Sequence, residues 1–200
     1  MARWPAPGRC KRRLAAGCGQ AAAARLQRRL TIHTLTVARR GAEQAAARLV
    51  LAADGLGPRA LERWAAALGA PEAVAQGRGN LGTRMQRQLR RGFRAGAEAV
   101  VLIGTDLPGL EAADLAEAFH LLENQPLVLG PAADGGYWLI GLNRRGMALA
   151  GYRLMAGMPW GTATVLQRTC AAAAAAGLQP AWLAQRQDLD RPEDLRPWRR

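Results

Sequence analysis

A single lysine, Lys11, stands against 27 arginines in this chain of 200 residues. Cysteine is nearly as scarce. Cys10, Cys18 and Cys170 are odd in number and form no CxxC or Cys/His cluster, which favours reduced thiols and excludes a zinc site. No apolar run is long enough to span a bilayer, so no membrane partner is expected. The basic opening MARWPAPGRCKRRL lacks the apolar segment of a signal peptide, which leaves the cytoplasm as the default location. An RNP-like aromatic motif is also missing. The net charge of +13 is therefore no nucleic-acid signature by itself. Its arginines are scattered, as at Arg25, Arg28, Arg29, Arg59, Arg63, Arg90 and Arg91. Beside so much alanine they suit a coding bias towards GC-rich codons, and on helices they read as solvated faces.

Half of the residues are hydrophobic, which excludes disorder, and the length suits one domain over residues 1–200. The stretch Ala97–Leu110, AEAVVLIGTDLPGL, organises the rest. Ala99–Ile103 is an unbroken apolar run suited to a strand buried on both faces of a parallel sheet. It runs into Gly104-Thr105-Asp106, which sets a carboxylate at the edge where open α/β sheets bind ligands. Such a group holds a hard divalent cation, or simply closes a turn.

Before it, Met1–Trp4 leaves room for only the end of a first strand, so either that strand is stunted or the true start lies upstream. Pro7–Leu14, PGRCKRRL, reads as a loop followed by cations, a cradle for diphosphate or a basic surface loop. Gly19–Arg40 is expected as a helix with a stripe of Leu26, Leu30, His33 and Val37, in which His33 packs with a local hydrogen bond. Arg48–Ala53 reads as a strand, Arg59–Leu68 as a helix and Ala73–Ala75 as a short strand. Gln76–Met85, QGRGNLGTRM, clusters three glycines ahead of a helix striped by Leu81, Met85, Leu89 and Phe93. There Arg84 faces either ligand or solvent.

Beyond the central strand, Glu111–Glu123 reads as a helix, and Pro126–Pro131 and Tyr137–Leu142 as strands around the turn at Asp134-Gly135-Gly136. Met158–Thr162 leads into a helix over Thr164–Ala176, ended by Gly177. Gln179–Ala184 is a last strand. In Asp188–Leu195, DLDRPEDL, Asp190 is either a helix cap or an acid of the site.

The ordered set PAPGRCKRRL, QGRGNLGTRM, IGTDLPGL, LGPAADGGYWLIGL, MPWGT and DLDRPEDL resembles a DUF2064-type family of small bacterial GT-A-like glycosyltransferases, sometimes discussed with arsenosugar biosynthesis. More distantly it resembles guanylyl and cytidylyl nucleotidyltransferases. The resemblance implies a three-layer, Rossmann-like, mostly parallel sheet with helices on both faces. It implies a nucleotide-sugar donor, a small-molecule acceptor, and Mg²⁺ or Mn²⁺ held by Asp106 and Asp190. Arg9, Lys11, Arg13 and Arg84 then meet phosphates, and Arg12 stands where the family's K-x-R-L element often has threonine. Gly135, Gly136 and Tyr137 match the DGGY element beside Asp134, the expected base. Trp160, Gly161 and Thr162 are expected at the substrate. The alternatives are a nucleotidyltransferase that releases pyrophosphate, and a non-catalytic nucleotide- or RNA-binding protein.

Overall fold

The computed structural model describes residues 1–198. β1 (Ala2–Arg3) ends because Pro5 and Pro7 follow, and proline has no N–H for a ladder. Then come α1 (Arg12–Cys18), α2 (Gln20–Gln44), β2 (Leu51–Asp54), α3 (Pro58–Ala67), β3 (Ala73–Ala75) and α4 (Leu81–Arg94). β4 (Ala99–Ile103), α5 (Ala112–Leu122), β5 (Leu127–Pro131), β6 (Tyr137–Asn143), α6 (Arg144–Ala150), α7 (Val165–Ala175) and β7 (Ala181–Trp182) complete the regular elements. A 3₁₀ segment, Pro192–Trp198, follows them.

β2 lies between β1 and β3, all parallel. The second group runs β4-β6-β5-β7, with β6 antiparallel to β4 and β5, and β7 parallel to β5. The two groups meet where the Met1 nitrogen donates to the Ile103 carbonyl at 2.8 Å. The exits of β1 and β4 lie together, because Lys11 beyond one pairs with Asp106 beyond the other. The fold is thus the expected α/β sheet, mostly parallel, with β6 as the reversed strand.

The period-two pattern of β4 makes the layers. Val100 and Leu102 pack on a core with Met85 and Leu89 of α4 and Ala173 of α7. Val101 and Ile103 pack on the opposite core, with Ala38 of α2 and Leu115, Ala118 and Leu122 of α5. Each fully buried leucine here contributes roughly 1.5–3 kcal/mol. β4 itself is only half-buried, because its ladder pairs with β6 alone while the two-residue β1 barely covers the other edge.

Several expectations need correction. α1 lies where a cationic loop was expected, and α6 also escaped the sequence reading. The buried face of α2 is rotated from the expected stripe. It carries Gln27, Thr31, Thr34 and Leu35 beside Leu30, and the His33 Nε2 is buried with no hydrogen-bond partner among the described residues.

The glycine loop before α4 is tied down rather than open. Buried Gln76 donates from Nε2 to the Ala2 carbonyl at 2.9 Å and the Ala52 carbonyl at 3.0 Å. Arg87 donates to the carbonyls of Gln76 and Arg78. Asn80 caps α4 by accepting from the Thr83 N–H. Replacing Gln76→Leu leaves two buried strand carbonyls without that donor. Urea unfolding should show a loss of about 1–3 kcal/mol, and unchanged stability would contradict the stitching role.

Candidate functional site

Lys11 starts α1 in the left-handed region, φ 46° and ψ 49°, a conformation that costs a residue with a Cβ about 1–2 kcal/mol. Its side chain is 2% exposed. The ammonium reaches Asp106 Oδ1 at 2.8 Å and Asp190 Oδ1 at 3.9 Å, and donates to the Leu189 carbonyl. Leu189 returns its own N–H to the Asp106 carbonyl at 2.8 Å. Three segments distant in sequence therefore close around one buried charge. Asp106 and Asp190 converge as expected, but the lysine itself stands between them. Lys11 was expected on phosphate, and its side chain is buried against Asp106, Asp190 and Leu189.

Arg13 extends the same cluster. It reaches Asp190 Oδ2 at 3.3 Å and the Gly161 carbonyl at 3.4 Å, while its side chain stays half-exposed. Arg9 is exposed. Arg84 reaches Asp54 Oδ2 at 2.7 Å and the Gly79 carbonyl at 2.9 Å. Burial opposes ionisation of Asp54, but Arg84 and Arg3 together hold its carboxyl below the ordinary range. Asp190 does not cap the last helical segment. Asp194 does so, accepting from the N–H groups of Asp190 and Arg191.

A cavity of about 220 Å³ opens beside this cluster, at the carboxyl end of β4. Leu102, Ile103, Gly104 and Asp106 form one wall, and Gly136, Tyr137 and Trp138 form another. Trp160, Gly161 and Thr162 close a third side, with Asp134 and Asp188 also lining it. Gly135 makes this closure possible. It sits at φ 86°, and a Cβ there would fall 2.2 Å from the Ala163 carbonyl oxygen, so only glycine lets the two loops touch. Tyr137 and Trp160 meet edge to face, their centroids 6.4 Å apart. Thr162 turns its hydroxyl to the Pro159 carbonyl at 2.8 Å. Asp134 accepts the Gly136 N–H on Oδ1 at 2.9 Å, which orients its carboxylate.

Asp188 is the lining residue that sequence reasoning missed. Its signal lay in DLDRPEDL, where Leu189 is buried in a core with Leu14 and Leu30. In an extended segment a leucine turned inward leaves the acids on either side facing the cleft. Burial and the Asp134 charge push the Asp188 carboxyl up to about 6.

No group of three or more His, Cys, Asp or Glu able to hold a metal occurs among the described residues. Mg²⁺ does not require one, since it commonly takes one or two carboxylates and fills its shell with phosphate and water. Both oxygens of Asp190 already face cations, so it fits that task poorly. Asp106 and Asp188 line the cavity together and fit it better.

The family model described as "Uncharacterized protein conserved in bacteria (DUF2064)" matches residues 36–162. A solved structure from Desulfovibrio desulfuricans G20, provisionally described as a nucleotide-diphospho-sugar transferase, is similar at 30% identity and a TM-score of 0.84, over 97% of this chain and 81% of that one. Two further structures are alike in fold at a TM-score of 0.53 each. One is 4-diphosphocytidyl-2C-methyl-D-erythritol synthase, at 14% identity over 85% of this chain and 86% of that one. The other is CMP:2-keto-3-deoxy-manno-octonic acid synthetase complexed with CTP, at 16% identity over 80% and 85%. No curated protein matches in sequence.

A raised carboxyl pKa favours folding below the unfolded value of 3.8, and that contribution is lost as pH rises through about 6. Asp188→Asn should therefore raise Tm relative to the parent chain at pH 7–8, and the gain should vanish near pH 4. A Tm difference independent of pH would contradict the burial of Asp188 beside the Asp134 charge.

Proposed function

Since the chain belongs to the DUF2064 family, we propose that it is a metal-dependent glycosyltransferase, moving a sugar from a nucleotide-sugar donor to a small-molecule acceptor. The observation that carries this reading is the meeting of Asp106, Asp134 and Asp188 on one cavity, with Arg13 at its rim. The likeness to the Desulfovibrio protein supports the substrate class.

In this reading the donor's nucleotide lies along the exits of β1, β2 and β3. Its diphosphate turns towards Arg9 and the half-exposed Arg13, whose forked guanidinium suits phosphate oxygens. Lys11 acts behind them as a positioning residue that fixes Asp106. Asp106 and Asp188 would hold Mg²⁺ or Mn²⁺, which supplies neutralisation of the charge that grows on the departing diphosphate. The donor's sugar and the acceptor meet beside Gly136, Tyr137, Trp160, Gly161 and Thr162, where Gly135 lets the two loops close.

Asp134 is the base. Its Oδ1 is occupied by the Gly136 N–H, which leaves Oδ2 for the proton of an acceptor hydroxyl. As that proton leaves, the acceptor oxygen bonds to the anomeric carbon. The bond from that carbon to the phosphate oxygen breaks, and a nucleoside diphosphate departs.

Nucleotide sugars with Mn²⁺ should raise Tm by roughly 5 °C at saturation, and Asp106→Asn should abolish the metal-dependent part. Stabilisation only by nucleoside triphosphates, with pyrophosphate released on turnover, would replace this reading with nucleotidyl transfer.

A further inference from the structure

The charge of the cavity bears on the acceptor. Among its described lining residues there is no arginine, lysine or histidine. Beside it, Lys11 is engaged with Asp106 and Leu189, while half-exposed Arg13 reaches Asp190 and the Gly161 carbonyl at the rim. The Met1 nitrogen, also at the wall, is turned to the Ile103 carbonyl. Asp134 and Asp188 have no ion-pair partner among the described residues, and Asp134 faces solvent at the mouth.

The remaining walls are apolar and aromatic, with Leu107, Trp138 and Trp160 among them. Tyr137 adds a further aromatic ring to this lining. Asp134, which holds no metal in the transferase reading, repels an anion and attracts an N–H or O–H donor. Aromatic faces add attraction for an apolar body or a cation.

We propose that this cavity takes an acceptor without negative charge, a hydroxylated molecule with a partly apolar body that is neutral or cationic, and rejects phosphorylated or carboxylated ones. This rests on the transferase reading for the word acceptor. The charge preference follows from the lining itself.

The test uses 2-phenylethylamine, 2-phenylethanol and phenylacetate, matched probes of cationic, neutral and anionic character. They are titrated into the whole chain in EDTA, so that no metal bridges an anion to the carboxylates. Tryptophan fluorescence is the readout, and Trp160→Phe localises it. The amine and the alcohol should bind, and phenylacetate should bind roughly tenfold more weakly or worse. Asp134→Asn should narrow that gap, while Trp160→Phe should remove most of the signal. Phenylacetate binding as tightly as the amine, or no response from any probe, would overturn the proposal. The experiment contains no nucleotide, so its failure is separate from that of the donor reading. A chain that prefers the amine yet is stabilised by no nucleotide sugar keeps the cavity's preference and loses the transferase.

Discussion

One buried ammonium holds the site together. Removing a lysine charge from water costs several kcal/mol, and the left-handed backbone at Lys11 adds to that. The position is tolerable because three oxygen partners, from Asp106, Leu189 and Asp190, surround the charge. The consequence is geometric more than energetic. The exit of β1, the exit of β4 and the C-terminal segment are fixed relative to one another at a single atom. The Leu189 N–H on the Asp106 carbonyl then repeats the tie through the backbone.

A second set of contacts fixes the opposite wall. Buried Asp114 accepts the Glu111 N–H at 2.9 Å, closing the start of α5, and its other oxygen pairs with the Arg186 guanidinium. The Arg186 N–H donates to the Pro131 carbonyl at 3.0 Å, and the Ala133 N–H donates to the Arg186 carbonyl at 3.0 Å. The turn bearing Asp134 and the segment bearing Asp188 are thus held side by side. Burial, and after it the Asp134 charge, raise the Asp188 carboxyl. A polypeptide that holds two carboxylates together without a cation between them stores electrostatic free energy that a cationic or hydrogen-bond-donating ligand can release.

Much of this was legible in residue order. The run Ala99–Ile103 and the turn Asp134-Gly135-Gly136 declare themselves through period and turn chemistry, and both lie where expected. Short elements were not legible. α1 has seven residues and begins at a left-handed lysine, a start with no local signature. The direction of Lys11 was hidden too, because a lysine is buried only when something covers it, and the cover is Leu189 and Asp190 at the far end of the chain. The partner of Arg84 was hidden in the same way, since Asp54 stands at the end of β2, 30 residues earlier in the chain. Asp190 pairs with Lys11 and Arg13, whereas Asp188 has no ion-pair partner among the described residues. Local pattern selected the right segments, and long-range packing assigned the partners within them.

The account stands on Lys11 coupling to Asp106. A double-mutant cycle by urea unfolding, with Lys11→Met, Asp106→Asn and the double variant, measures that coupling directly. The account predicts an interaction of about 1 kcal/mol or more. A value within about 0.3 kcal/mol of zero would mean that the two act independently, and the central tie would be contradicted.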